Sequence, residues 1–316
     1  MNRWWYSRIG CFLLCLLLIA CKGKKADAPD DTLFSGVVSI AVDETLSPVV
    51  QEEIDVFESR YTLASIIPKY TDEVHALNLL LKDSVRLAIT TRPLREEEIA
   101  SFHSRKFFPQ SIKIATDGIA LIVHKNNPDS IINVEMLRQI FSGKVLRWNE
   151  LFPKSKLGTI SVVYDHPNSS TVRYVQDSIC RDKQLSEQSY AAGTNPKVIE
   201  YVARTPGALG IIGVNWISEE QDSVSREFST SIQVMRVSRE EHPTRENSYQ
   251  PYQYYLYTGQ YPFVRNVYIN LNDPRSGLPS GLTSFVTSSR GQRIILKAGL
   301  LPATMPVNIV NIRDVI

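Results

Sequence analysis

Short apolar runs alternate with helical patterns along most of this chain. Val37-Val38-Ser39-Ile40-Ala41-Val42 reads as a strand, and Pro48 opens a helix in which Val50, Ile54, Phe57 and Tyr61 share one face. Residues 64–67 predict a second strand. Val74, Leu77 and Leu81 mark a helix, and residues 85–90 return to strand. The alternation recurs with a strand at 119–124, a helix at 134–141 closed by Gly143, and a strand at 160–164. Asn195-Pro196 opens a helix with Val198, Ile199 and Val202 inward, followed by a buried strand at 208–214. Arg290 to Ala298 reads as a helix ended by Gly299, with Pro302 beyond it. Such alternation predicts an α/β fold with largely parallel pairing, and the chain is long enough for two lobes, each on its own sheet. No internal repeat is visible.

The first 20 residues have a different pattern. Arg3 and Arg8 precede an apolar run from Cys11 to Ile19, too short for a comfortable transmembrane helix. Leu18-Ile19-Ala20-Cys21 has the shape of a lipobox, which resembles the site where bacterial signal peptidase II cuts before a lipid-modified cysteine. Residues 1–20 are thus expected to be a lipoprotein signal peptide. Cys21 would be the lipidated N-terminus holding the protein to a membrane in the periplasm or cell envelope, with residues 21–34 as a polar tether. A plain signal anchor is the other reading of the same residues.

Composition narrows the function. Loss of the signal peptide leaves 33 basic residues against 33 acidic ones, so nothing points to nucleic acid. Cys180 is then the only unlipidated thiol, and no internal disulfide is expected; its helical setting reads as packing. The five histidines lack metal-ligand spacing, and no G-x-S-x-G or S-x-x-K with K-T-G set occurs. No metal, cofactor or enzymatic activity is expected. The seven aromatic residues between Tyr249 and Phe263 suit either core packing or a sugar-stacking surface.

The segment Asn168-Ser169-Ser170-Thr171 carries the most chemistry. Val172, Val175 and Ile179 follow at helical spacing, so the hydroxyls sit where a helix begins. Unpaired N–H groups and the positive end of the helix dipole lie there, which suits an oxyanion. An ordinary helix cap fits the same residues.

Several segments, in order, resemble the PstS-like phosphate-binding proteins of bacterial ABC importers. The strongest is Leu137-Arg138-Gln139-Ile140-Phe141-Ser142-Gly143-Lys144-Val145-Leu146-Arg147-Trp148-Asn149-Glu150-Leu151. Asp117-Gly118-Ile119-Ala120-Leu121-Ile122-Val123, Thr205-Pro206-Gly207-Ala208-Leu209-Gly210-Ile211, and Gly291-Gln292-Arg293 with Lys297 to Pro302 accompany it. The resemblance implies a two-lobe periplasmic-binding-protein fold of type II. Each lobe would be a mixed, mostly parallel sheet flanked by helices, with the ligand cleft between them. Residues 35–115 plus 232–316 would form the first lobe and 116–231 the second. It also implies inorganic phosphate or a similar oxyanion as ligand and an ABC importer permease as partner.

By position in the family pattern, Thr45 and Leu46 supply the first binding loop and Thr71 the second. Thr90, Thr91 and Arg92 fall on the third, and Ser169, Ser170 and Thr171 on the fourth. The chain departs from the pattern too. The family's phosphate-binding Arg falls at Asp165, and the Asp that accepts a phosphate proton falls at Thr91. Asp43, Glu44, Asp72 and Glu73 add negative charge to loops expected to face the ligand. Arg92 and Arg173 could offset it, or could pair with those acids, as Arg173 with Asp165. A ligand with both anionic and cationic groups would suit the added carboxylates. A sensor or interaction lipoprotein that reuses the fold with an altered site is the alternative function.

Overall fold

The computed structural model describes residues 31–181, 185–186, 189–217 and 231–304. The signal peptide and the lipidation site at Cys21 lie outside them. Among the described residues no helix is long and apolar enough to cross a membrane.

One strand ties the molecule together. β4 (Gln110–His124) is 15 residues long, and its two halves belong to different sheets. The first half pairs antiparallel with β12 (Val264–Leu271), which in turn pairs with β3 (Leu87–Thr90). β3 is parallel to β1 (Ser35–Asp43), and β1 is parallel to the edge strand β2 (Leu63–Thr71) along its whole length. The second half of β4 pairs antiparallel with β8 (Ala208–Gly213), which is parallel to β6 (Ser161–Tyr164), itself parallel to β7 (Ser189–Ala191). The result is the expected two-lobe α/β fold, with β4 and β12 passing between the lobes.

The helices cover these sheets with the faces their sequences marked. α1 (Ser47–Arg60) buries Val49, Val50, Ile54 and Phe57 against Val38, Ile40 and Val42. Phe57 meets Phe285 of α9 (Leu278–Thr287) edge to face at 5.5 Å. α2 (Glu73–Leu81) and α3 (Glu96–Ser104) cover the other face through Leu77, Leu80 and Phe102. α10 (Ser289–Lys297) closes the first lobe beside α1 and α9, and β13 (Leu301–Pro302) returns to β4.

In the second lobe α7 (Asn195–Arg204) places Val198, Ile199 and Val202 on Ala120, Ile122 and Ile212. It approaches β8 so closely that a Cβ on Gly210 would come within 2.8 Å of both Ile122 and Val202. The Gly-Lys turn after α4 (Val134–Phe141) needs its glycine, since Gly143 has φ +73°. Buried Trp148 opens the short α5 (Trp148–Leu151), and its Nε1 donates to the Gly207 carbonyl at 3.0 Å.

Two expected boundaries move. Residues 231–263, nearly all expected in the first lobe, pack with the second. β9 (Ile232–Val234) pairs with the far half of β4, and β10 (Arg236–Ser238) pairs with β5 (Ile131–Asn133) and β11 (Ser248–Tyr249). Met235, Val237, Leu256, Tyr261 and Phe263 enter the second core, because their apolar faces meet Ile119 and Leu121 there. The expected tether also ends early. Asp31 bonds the Arg86 guanidinium at 2.7 Å and the Leu278 N–H at 2.5 Å, and Phe34 stacks on Tyr61. The aromatic stretch divides. Tyr261 and Phe263 are core, whereas Tyr252, Tyr254 and Tyr257, the last two on α8 (Gln253–Tyr257), are exposed.

Candidate functional site

Five chain turns meet where the lobes face each other. β1 ends at Asp43, whose Oδ1 accepts the Thr45 N–H at 3.1 Å and so caps the turn Glu44–Leu46. α2 starts after Asp72, and Thr91 follows the end of β3. From the second lobe, α6 (Ser170–Tyr174) begins after its cap Ser169, whose Oγ accepts the Val172 N–H at 3.3 Å. α7 begins at Asn195.

The centre of this region is a residue that the sequence reading missed. Arg265 stands opposite Asp117 in the β12–β4 register, with only 3% of its side chain exposed. Its Nε and Nη2 donate to Asp117 Oδ2 at 3.0 and 2.9 Å. Nη1 donates to Ser170 Oγ at 2.7 Å and Nη2 to Thr45 Oγ1 at 3.1 Å, so one guanidinium joins hydroxyls from both lobes. The two hydroxyls are themselves 3.1 Å apart. Gly213 lies against Asn215, Asp117 and Arg265 with no space for a Cβ. Asn215 and Trp216 both donate to the Thr45 carbonyl at 3.0 Å.

Beside it, Thr171 Oγ1 donates to Asp165 Oδ1 at 2.6 Å. Its proton being used there, the 2.7 Å contact between Ser169 and Thr171 has Ser169 as donor. Further along α6, Arg173 reaches across to the first lobe. Its Nε meets Glu73 Oε2 at 2.5 Å, and Nη2 meets Glu73 Oε1 at 3.2 Å and Thr91 Oγ1 at 2.8 Å. Thr91 gives both its N–H and its hydroxyl to Glu73. A further link between the lobes runs from the Asn195 amide Nδ2 to Glu44 Oε2 at 2.6 Å.

Thus Thr45, Thr91, Ser169, Ser170, Thr171 and Arg173 come together where the lobes meet. Leu46 is buried in the first core, so only its backbone faces the turn. Thr71 ends β2 opposite Asp43, half-buried. Thr90 and Arg92 do not join the network. Thr90 accepts from Asn270 at 2.8 Å, and Arg92 forms a two-pronged pair with Glu98 at 2.8 and 2.7 Å, which anchors the start of α3. Arg173 pairs with Glu73 and Asp177 and not with Asp165. His166 Nδ1 accepts the Asn168 N–H at 3.2 Å and lies 3.9 Å from Asp72.

Electrostatics set the acids apart. Burial, reinforced by the Glu73 charge and opposed by Arg265, pushes Asp43 up to about 7. Burial, with Asp165 adding to it, also pushes Glu44 up to about 7 although Asn195 bonds it. Burial works against the charge on Glu73 too, yet the bonds from Arg173 and Thr91 hold its carboxyl below the usual range. The region thus carries three groups of oxyanion donors, each already bonded to or beside one of the protein's own carboxyls.

Residues 25–290 match the model of a PBP superfamily domain. The chain belongs to this superfamily. It is similar to the phosphate-binding protein PstS of Staphylococcus aureus, 22% identical over 231 residues that cover 71% of this chain and 68% of the relative. Among solved structures it is similar to a Clostridium perfringens protein described as a phosphate ABC transporter substrate-binding protein with bound phosphate. The TM-score there is 0.69 at 22% identity, covering 85% of this chain and all of the other. An ABC-type phosphate transport receptor from Vibrio cholerae has a TM-score of 0.60 at 16% identity, with 85% and 100% coverage. These likenesses give the chain the two-lobe fold of those solved proteins.

Proposed function

We propose that this protein is an extracytoplasmic substrate-binding protein that captures phosphate, or a related oxyanion, between its lobes and hands it to an ABC importer permease. Lipidation of Cys21 would hold it to the membrane. The observation that carries the reading is the joining of Thr45 from one lobe to Ser170 from the other through Arg265, beside the Ser169 and Thr171 hydroxyls. Such donors come from both lobes, so an anion that bonds them favours the closed form over the open one.

Binding needs no chemical step. The ligand's oxygens take the Thr171 proton from Asp165 and the Ser169 proton from Thr171, and Arg265 supplies the charge-assisted bonds. Arg173 contributes to the extent that it leaves Glu73. Trp216, bonded to the Thr45 carbonyl, reports the site by its own fluorescence. Titration with inorganic phosphate is expected to change that emission saturably, and Trp216→Phe to abolish the change. A flat titration that calorimetry also leaves without heat would reject the reading.

A further inference from the structure

The oxyanion site leaves part of the cleft's chemistry unanswered, and every unmatched group is an acceptor. Asp43 is fully buried and its Oδ2 meets no donor; Oδ1 of Asn195 and Oδ1 of Asn215, both buried, meet none either. Glu44 is bonded by Asn195 and Asp165 by Thr171, and neither is paired with a cation among the described residues. Arg173 is engaged with Glu73, and Arg265 with Asp117.

The hydroxyl protons are committed in the same direction. Ser169 donates to Thr171 and Thr171 to Asp165. Arg265 donates to both Thr45 and Ser170, so the protons of those two hydroxyls point onward, toward each other and toward Asp43 beside Ser170. These acids adjoin the hydroxyls, because Glu44 neighbours Thr45 in sequence and Asp165 is bonded to Thr171, next to Ser170. No group of three His, Cys, Asp or Glu side chains among the described residues is placed to hold a metal ion. The missing donors therefore have to arrive on the ligand.

We propose that the ligand of this cleft is a phosphoryl compound that also carries an ammonium group. The inference rests on the oxyanion reading above and narrows it. The phosphoryl oxygens take the bonds of Arg265 and of the Ser169–Thr171 hydroxyls, and the ammonium takes Asp43 Oδ2 between Glu44 and Asp165. An ammonium brings three donors and a positive charge, where the cleft offers acceptors and an excess of acids. Inorganic phosphate alone would add negative charge to five carboxyls (Asp43, Glu44, Glu73, Asp117, Asp165) that, among the described residues, Arg173 and Arg265 offset.

The raised acids agree with this placement. Asp43 is faced by Glu73, Asp165, Arg265 and Arg173, and Glu44 by Asp165 and the Asn195 amide. Burial, with the charges of Glu73 and Asp165 adding to it at Asp43 and that of Asp165 at Glu44, holds both carboxyls near 7, so an ammonium beside them would return them toward the ordinary carboxylate range. Binding at pH 7 would then release protons. A phosphate dianion placed there would take them up.

Calorimetry of the full chain at pH 7, in two buffers of different ionisation enthalpy, separates these cases. The probes are 2-aminoethylphosphonate, ethylphosphonate and inorganic phosphate. The amino compound is expected to bind at least about tenfold tighter than ethylphosphonate, with net proton release. Glu44→Gln should remove most of that advantage, lowering the affinity for the amino compound by a larger factor than that for ethylphosphonate. Ethylphosphonate or inorganic phosphate binding as tightly as the amino compound, with proton uptake, would overturn this inference and leave the oxyanion reading standing. No binding of any of the three would remove both.

Discussion

Replacing Arg265 by Met tests how the two lobes are joined. The side chain is 3% exposed and makes four bonds, two to Asp117 and one each to Ser170 and Thr45. Methionine keeps much of the volume but leaves Asp117, which is fully buried, with the backbone N–H groups of Val214 and Gly118 as donors and no cation beside it. An uncompensated buried charge of this kind costs about 3–5 kcal/mol. The two lost hydroxyl bonds add about 1 kcal/mol each at most, since Thr45 and Ser170 can still bond one another. Urea unfolding followed by circular dichroism should therefore find the variant about 3–7 kcal/mol less stable. The double variant Arg265→Met with Asp117→Leu should recover at least half of that loss, because no charge is then stranded. It should still fail to bind oxyanion. A single-variant loss below about 1 kcal/mol, or a double variant no better than the single, would show that Arg265 and Asp117 are not a buried charge pair.

Other outcomes follow from the same geometry. Arg173→Ala is expected to weaken oxyanion binding by more than about 1.5 kcal/mol if the guanidinium makes a charge-assisted bond; an unchanged affinity by calorimetry would assign it to its internal bonds with Glu73, Thr91 and Asp177. Glu53, buried among Val49, Ile54 and Val267 with neither carboxyl oxygen bonded, is pushed up to about 9 by burial and the nearby Glu52 charge. Its folded value lies above the unfolded one, so it destabilises the fold progressively as pH rises from about 4.5 to about 9. Glu53→Gln should flatten that slope and gain more than about 1 kcal/mol at pH 8, read from urea midpoints at several pH values. Gly210→Val should cost about 1–3 kcal/mol by pushing α7 off β8, measured by thermal melting; an unchanged melting temperature would mean that the helix moves freely there.

How much of this was legible in the residues depended on whether a local pattern carried it. Val50, Ile54 and Phe57 at helical spacing announced α1, and Asn195-Pro196 announced the start of α7. The Ser169–Thr171 helix start was also visible, and it does reach the interlobe region. Arg265 was passed over although a signal existed. It shares the inward face of β12 with Val267 and Ile269 by simple alternation, and a buried Arg on a strand requires a carboxylate partner. That partner, Asp117, is 148 positions away, so only the register of β4 and β12 brings the pair together. Arg92 failed in the opposite way. Its loop position suited an anion, but Glu98 six residues on, at the start of α3, takes both prongs of the guanidinium. The lobe boundary shifted because β9 to β11 are two or three residues long, too short for their apolar faces to reveal which core they join.

The oxyanion cradle itself is decided by isothermal titration of the wild-type chain and of Ser169→Ala with Thr171→Ala, using inorganic phosphate and the phosphonates above. The wild type is expected to bind at least one of these phosphoryl compounds at one site, and the double variant to lose at least about tenfold in affinity for it. Equal affinity in both proteins, or no binding by the wild type, would contradict it.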